Sequence, residues 1–154
     1  MALSDLLSAD AVLGTLNASN RKQALQMMCE AAGARLGVDS RGILDSVMDR
    51  ERLGSTGVGD GVAIPHARLE GLSGVFGLFA RLKTPIDFDA IDGRPVDLIF
   101  LLLAPETAST EHLKALARVS RVFRREDVRA RLRTTDSRDG MAALLTLQED
   151  SDAA

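Results

Sequence analysis

With 154 residues the chain has the length of one ordinary domain, large enough to bury roughly 70% of the surface that its unfolded form exposes. It is 45% hydrophobic and 27% charged with no repeat or low-complexity tract, and its net charge of −3 is too small to argue by itself for a charged partner. The single cysteine, Cys29, excludes an internal disulfide and fits a reducing compartment.

In chain order, the opening stretch MALSDLLSAD carries Asp5 and no basic run before its apolar residues, so no signal peptide is expected. Asn20 can cap a helix to about Leu36, in which Leu25, Met28, Cys29, Ala32 and Leu36 recur at helical spacing and Gly37 supplies a stop. Cys29 falls inside that stripe and reads as a small core residue more readily than as a reactive thiol. Asp39 can cap a second helix, to about Leu53, with Ile43 and Val47 on its inner face. At about 100° per residue, Arg50 falls nearly in line with Ile43, whereas Arg52 points the opposite way. An arginine in line with core positions needs a partner: either the helix C-terminus holds it, or it serves an anion site reached from the helix end.

GSTGVGDG follows, with Gly54, Gly57, Gly59 and Gly61, and reads as a loop. VAIPH then reads as a short strand closed by Pro65, because proline is tolerated at strand ends but not inside a ladder. GVFGLFARL and VDLIFLLL, residues 74–82 and 96–103, are apolar on both alternating sets, as expected of strands covered on both faces. Between them, TPIDFDAIDGRPV alternates Ile86, Phe88 and Ala90 inward with Asp87 and Asp89 outward, a half-exposed strand leading to a turn at Asp92-Gly93. The longest apolar run, VDLIFLLLA, is far shorter than the roughly 20 residues of a membrane helix, and a soluble cytoplasmic protein without membrane insertion is expected. After Pro105, Ser109 or Thr110 can cap a helix to about Arg125, and EDVRARLR and SRDGMAALLTL read as two further helices. Helices before and after a group of buried strands predict an α/β sandwich. QEDSDAA at the end reads as an acidic, frayed tail.

The chain has two histidines, and both sit where chemistry is plausible. His112 falls nearly in line with Val119 and Phe123, in the first turn of its helix, where free N–H groups favour a neutral imidazole and a nearby anion. A lone inward histidine is more often a satisfied core residue. His66 follows a glycine-rich run, a short strand and Pro65, a frame that presents a side chain at a strand end. A largely neutral imidazole can attack with a ring nitrogen, and a phosphoryl electrophile needs positive charge and donors around its oxygens, which Arg50 and His112 suit. The alternatives for His66 are a packed core residue and a metal ligand.

Other chemistries fit less well. GSTGVGDG lacks the Gly-Lys-Ser/Thr ending of a P-loop and the GxGxxG dinucleotide fingerprint. A zinc site needs His66, His112 and a carboxylate such as Glu111 or Asp60, without any HExxH or cysteine pair. There is no GxSxG for serine hydrolysis, and Cys29 lies in a helix stripe. No cofactor and no metal are therefore expected. Seven arginines between Arg118 and Arg133 read as a solvated helix face, since the chain has no Trp or Tyr platform for nucleic acid.

RERLGSTGVGDGVAIPHA, residues 50–67, resembles the phosphorylation-site signature of enzyme IIA proteins of the mannitol/fructose type, from the bacterial phosphoenolpyruvate-dependent sugar phosphotransferase system. KTPIDFDAIDGRPVDLIFLLLAP and EHLKALARVSRVFRREDVRARLR are similar to the corresponding strands and helices, so the resemblance covers nearly the whole chain. GSTGVG and FDAIDGRPVDLIF look most like the nitrogen-regulatory branch. The resemblance implies one IIA domain over residues 1–148, with 149–154 as tail, folded as a mixed, roughly five-stranded sheet between helices on both faces. It implies that His66 accepts a phosphoryl group from an HPr-like phosphocarrier, with His112 as second active-site histidine and Arg50 contacting the phosphoryl group. Many family members have Gly where this chain has Ala67, and a small residue is retained. A free-standing IIA protein needs partners for input and output: the HPr-like donor, and regulated targets such as transporters, kinases or regulators. Two other readings are a transport IIA that passes phosphate to a IIB domain and an anion- or protein-binding module never phosphorylated.

Overall fold

The computed structural model describes residues 11–107 and 109–153, so the stretch read above for a signal peptide lies outside the described residues. Helix α1 (Arg21–Leu36) begins where Asn20 accepts a hydrogen bond from the Gln23 N–H at 2.9 Å. It ends at Gly37, whose φ of 69° is the left-handed cap that glycine adopts without a Cβ penalty. Helix α2 (Ser40–Arg52) is capped by Asp39, which accepts from the Arg41 N–H at 3.2 Å, and Ile43 and Val47 are buried as predicted.

Six strands follow a mixed pattern. β1 (Val12–Leu16), β2 (Gly57–Gly59), β3 (Val62–Ala63), β4 (His66–Leu69), β5 (Phe76–Ile86) and β6 (Val96–Pro105) form one sheet in the order β1-β5-β6-β3-β2, with β4 also paired to β6. β5 and β6 are antiparallel, and β1 on β5 and β3 and β4 on β6 are parallel. Three helices complete the chain: α3 (Ser109–Phe123), α4 (Glu126–Thr134) and α5 (Arg138–Ala153). Ser109 and Thr110, read above as caps, both lie inside α3.

Every residue from Leu98 to Leu103 is fully buried, on both alternating sets, so helices cover both faces of β6. On one face Phe123 of α3 stacks on Phe79 at 5.8 Å and meets Phe100 edge-on at 5.9 Å. Phe79 and Phe100 are register partners across β5 and β6, so one aromatic from the helix clamps both central strands.

Three expectations need correction, and one strand was not foreseen. Gly57–Gly59, read as loop, is strand β2, antiparallel to β3; glycine density hid a strand that needs small residues because the chain opposite lies so close. VAIPH is not one strand closed by Pro65. β3 and β4 flank Ile64 and Pro65, and both keep one register against β6, with Val62 opposite Leu98 and His66 opposite Leu102. Ile86, Phe88 and Ala90 are buried as expected, but β5 ends at Ile86, and Asp89 turns to a φ of 52° instead of continuing the strand. β1 went unpredicted, because Gly14 at φ 79° interrupts its five residues and blurs any alternation.

Part of the arginine-rich segment is built into the fold, while Arg121, Arg124 and Arg131 are exposed. Arg129 is buried and donates to the Phe123 carbonyl at 2.9 Å, Arg125 pairs with Asp127 at 2.9 Å, and Arg133 grips Asp97 at 2.9 Å and the Asp60 carbonyl at 2.7 Å.

A Cβ added at Gly57 would lie 2.8 Å from Ala90 Cβ and 2.9 Å from its Cα. Gly57→Ala is therefore expected to lower unfolding stability by about 1–3 kcal/mol through overpacking of backbone against backbone. Urea denaturation of Gly57→Ala against the wild-type chain checks the effect.

Candidate functional site

His66 opens β4, and its register against Leu102 puts it on the side of the sheet shared with Phe100, the side that α3 covers. Pro65 contributes no amide hydrogen, but its carbonyl still accepts from the Leu102 N–H at 2.9 Å, so the chain keeps its register on β6 across the proline.

The ring of His66 is held at both nitrogens. Nδ1 lies 2.8 Å from the Ile64 carbonyl, which can only accept, so Nδ1 carries the proton. Nε2 receives the Arg50 Nε–H at 3.2 Å, and a guanidinium can only donate, so Nε2 presents a lone pair. Two separate contacts thus select one tautomer. Arg50 is itself anchored by an N–H donated to the Gly54 carbonyl at 2.9 Å. The helix-phase reading that separated Arg50 from Arg52 holds: Arg52 turns outward to Asp49.

His112, in the first turn of α3, brings its ring centroid to 5.4 Å from that of His66 at 65°. Its Nε2 is buried with no hydrogen-bond partner among the described residues. Both imidazoles are shifted toward the neutral form. Burial is the main cause of the lowered pKa at His66; the Arg50 charge adds to it, against the raising effects of the Ile64 hydrogen bond and Glu51. At His112 burial again leads, followed by repulsion from His66 and Arg68.

The pair opens into a groove of about 930 Å³ lined also by Arg50, Arg68 and Glu106. Leu53 and Leu113 stand at its rim, 84% and 66% exposed. Large apolar side chains left in water beside a polar pocket suit contact with a macromolecule better than enclosure of a small one.

The structure brings Arg50, His66 and His112 to one groove, and the sequence reading did not single out Glu51, Thr56 and Arg68, which lie at or behind it. Glu51 is only 5% exposed, and its position one turn beyond Val47 was the available signal. Among the described residues no group of three or more His, Cys, Asp or Glu side chains gathers to hold a metal ion, and Asp60 and Glu111 are both exposed. Cys29 is 1% exposed, and burial, with a smaller push from Glu30, raises its thiol to about 12, which leaves it an inert core residue. No helix among the described residues is long and apolar enough to cross a membrane.

A family model described as "Phosphoenolpyruvate-dependent sugar phosphotransferase system, EIIA 2" matches residues 5–147. A nitrogen regulatory protein of Bradyrhizobium diazoefficiens is 46% identical over 147 residues, covering 96% of each chain. The crystal structure of the nitrogen regulatory protein IIA-Ntr from Neisseria meningitidis superposes with a TM-score of 0.88 at 34% identity, covering 94% of this chain and 99% of that one. The mannitol enzyme IIA of Escherichia coli, solved in complex with phosphorylated mannitol enzyme IIB, shares the fold, with a TM-score of 0.75 at 22% identity over 90% of this chain and 96% of that one.

Histidine-selective ¹⁵N NMR checks the site's electrostatics. His66 is expected in the Nδ1–H form at neutral pH with a midpoint below the ordinary value of about 6.5, and Arg50→Gln should raise that midpoint. Because both folded-state values are lowered, the unfolded chain binds protons first. Stability present above about pH 6.5 should fall as the pH drops toward the lowered folded values.

Proposed function

The chain belongs to the type 2 EIIA family of the phosphoenolpyruvate-dependent sugar phosphotransferase system, and from that premise we propose that His66 is its phosphoryl acceptor and that the protein acts as a regulatory phosphocarrier. The observation that carries the reading is the tautomer: an Nε2 lone pair facing an open groove, with a guanidinium and a second imidazole beside it.

Nε2 attacks the phosphorus of a phosphohistidine on an HPr-like carrier. A new N–P bond forms on His66 while the N–P bond on the carrier breaks, and the bonding pair returns to the carrier's imidazole. Nδ1–H stays on the Ile64 carbonyl throughout, so the positive charge that develops on the His66 ring is shared with an acceptor already in place. Arg50 must exchange its Nε2 contact for a phosphoryl oxygen. His112 Nε2, buried with no hydrogen-bond partner among the described residues, supplies a second donor when it carries the ring proton. Lowered pKa values at both histidines serve this step, since a protonated His66 has no lone pair to offer.

The output is regulation by phosphorylation state. The transfer adds about −1.5 to −2 charges to the groove between Leu53 and Leu113, which changes its fit to target proteins such as transporters, kinases or regulators. The relatives named nitrogen regulatory protein support this reading over onward transfer. The E. coli complex with a phosphorylated IIB keeps transport-type transfer as the second reading.

Incubation with a phosphoenolpyruvate-driven carrier mixture, followed by intact mass, tests the proposal. The wild-type chain is expected to gain one phosphoryl group and His66→Ala none; uptake by His66→Ala at the wild-type rate overturns it. Arg50→Ala is expected to slow uptake about 10²–10³-fold, as for loss of one preorganised donor, and His112→Gln by roughly 10- to 100-fold. Onward movement of the label to a IIB domain, measured in the same reaction, separates the transport reading from the regulatory one.

A further inference from the structure

β2 and β3 are antiparallel, with Gly57 opposite Ala63, so Thr56 stands opposite Ile64. In a regular ladder such a pair exchanges two hydrogen bonds. Here only one forms: the Ile64 N–H donates to the Thr56 carbonyl at 3.0 Å. The returning bond is absent because the Thr56 N–H is taken by Glu51 Oε2 at 3.3 Å, while the Thr56 hydroxyl donates to Glu51 Oε1. The Ile64 carbonyl, left without its ladder donor, accepts from His66 Nδ1–H instead.

The same carboxylate secures the turn between α2 and β2. Gly54, whose carbonyl anchors the Arg50 guanidinium, lies in this connection at a φ of 153°. Glu51 holds its far end through Thr56. Arg21 pairs with Glu51 at 3.7 Å, donates to the Phe88 carbonyl at 3.4 Å and lies over the Phe88 ring at 5.7 Å. Ser55 also donates to that carbonyl and accepts from the Gly57 N–H at 3.0 Å. A carboxylate this deeply buried costs more than an apolar residue would unless it is fully paired, and its pairing goes to the Thr56 N–H, the Thr56 hydroxyl and the Arg21 guanidinium.

We propose that Glu51 is a positioning residue for the phosphoryl-transfer site: by capturing Thr56 it frees the Ile64 carbonyl to set the His66 tautomer, and it holds the turn that aims Arg50 at Nε2. This rests on the proposed role of His66, which Glu51 serves without touching. Neighbouring residues on α2 thus divide the work, Arg50 facing the imidazole and Glu51 the backbone that orients both.

The test uses the full chain with Glu51→Ala and, as a milder change that keeps the Thr56 N–H, Thr56→Val. In the unphosphorylated protein, Glu51→Ala should move the His66 ¹⁵N signals away from the pure Nδ1–H pattern, and both variants should weaken the bonded shift of the Arg50 Nε–H resonance. Glu51→Ala should move the Arg50 resonance more than Thr56→Val does. In single-turnover transfer from the carrier, Thr56→Val should slow the transfer step roughly tenfold at an unchanged half-saturating carrier concentration. Combined with Arg50→Ala it should cost no more than Arg50→Ala alone, because both act through one contact. A wild-type Arg50 signal in folded Thr56→Val, wild-type His66 signals in folded Glu51→Ala, or effects of Thr56→Val that multiply with Arg50→Ala, overturn the inference. The resonance readout needs no carrier. A wild-type chain that takes up no phosphate while its Arg50 signal still depends on Thr56 removes the proposed function and upholds the positioning.

Discussion

The Ile64 carbonyl lies 2.8 Å from His66 Nδ1, and because a carbonyl can only accept, the ring proton is held on that nitrogen and the lone pair is left at Nε2. Arg50, His112 and the groove matter chemically only because of that assignment. With the opposite tautomer Nε2 would present a proton to the Arg50 guanidinium, and neither the contact nor a nucleophile would survive. The carbonyl is available because β2 and β3 pair incompletely at Thr56 and Ile64, while the chain keeps one register on β6 across Pro65.

Electrostatically the site holds cations and neutral imidazoles in balance. Burial and Arg50 both press His66 toward its neutral form, while the Ile64 hydrogen bond and Glu51 pull the other way. The result is an imidazole that keeps its lone pair at neutral pH inside a pocket that also carries fixed positive charge at Arg50 and Arg68. Such a pocket stabilises incoming negative charge without reorganising, which is the condition for electrostatic help in group transfer. The exposed Leu53 and Leu113 at its edge add apolar area where a partner surface would close over it.

Much of this was legible along the chain. Helix limits followed from Asn20, Gly37 and Asp39, whose caps are local events between residues a few positions apart. Helix phase alone singled out Arg50 over Arg52 and turned His112 inward, since the direction of a side chain on a helix is set by position number. The buried strands announced themselves by length and by apolar residues on both alternating sets. The reading failed where structure depends on distant chain. Strand β2 exists because β3 pairs with it and Ala90 leaves room only for glycine, and neither neighbour is visible in GSTGVGDG itself. Glu51 looked like an ordinary charged residue near a helix end, because the Thr56 and Arg21 that make its burial affordable are brought in by the turn and by another helix.

Sequence by itself determined the family, the α/β class and the three residues that meet at the site, since each follows from local periodicity or from a contiguous motif. Tertiary structure alone decided which nitrogen of His66 is free, what holds Arg50 in place, and that a buried carboxylate stands behind both. Those are properties of hydrogen bonds between groups that the fold brings together, and a donor's choice among acceptors has no signature in the order of residues.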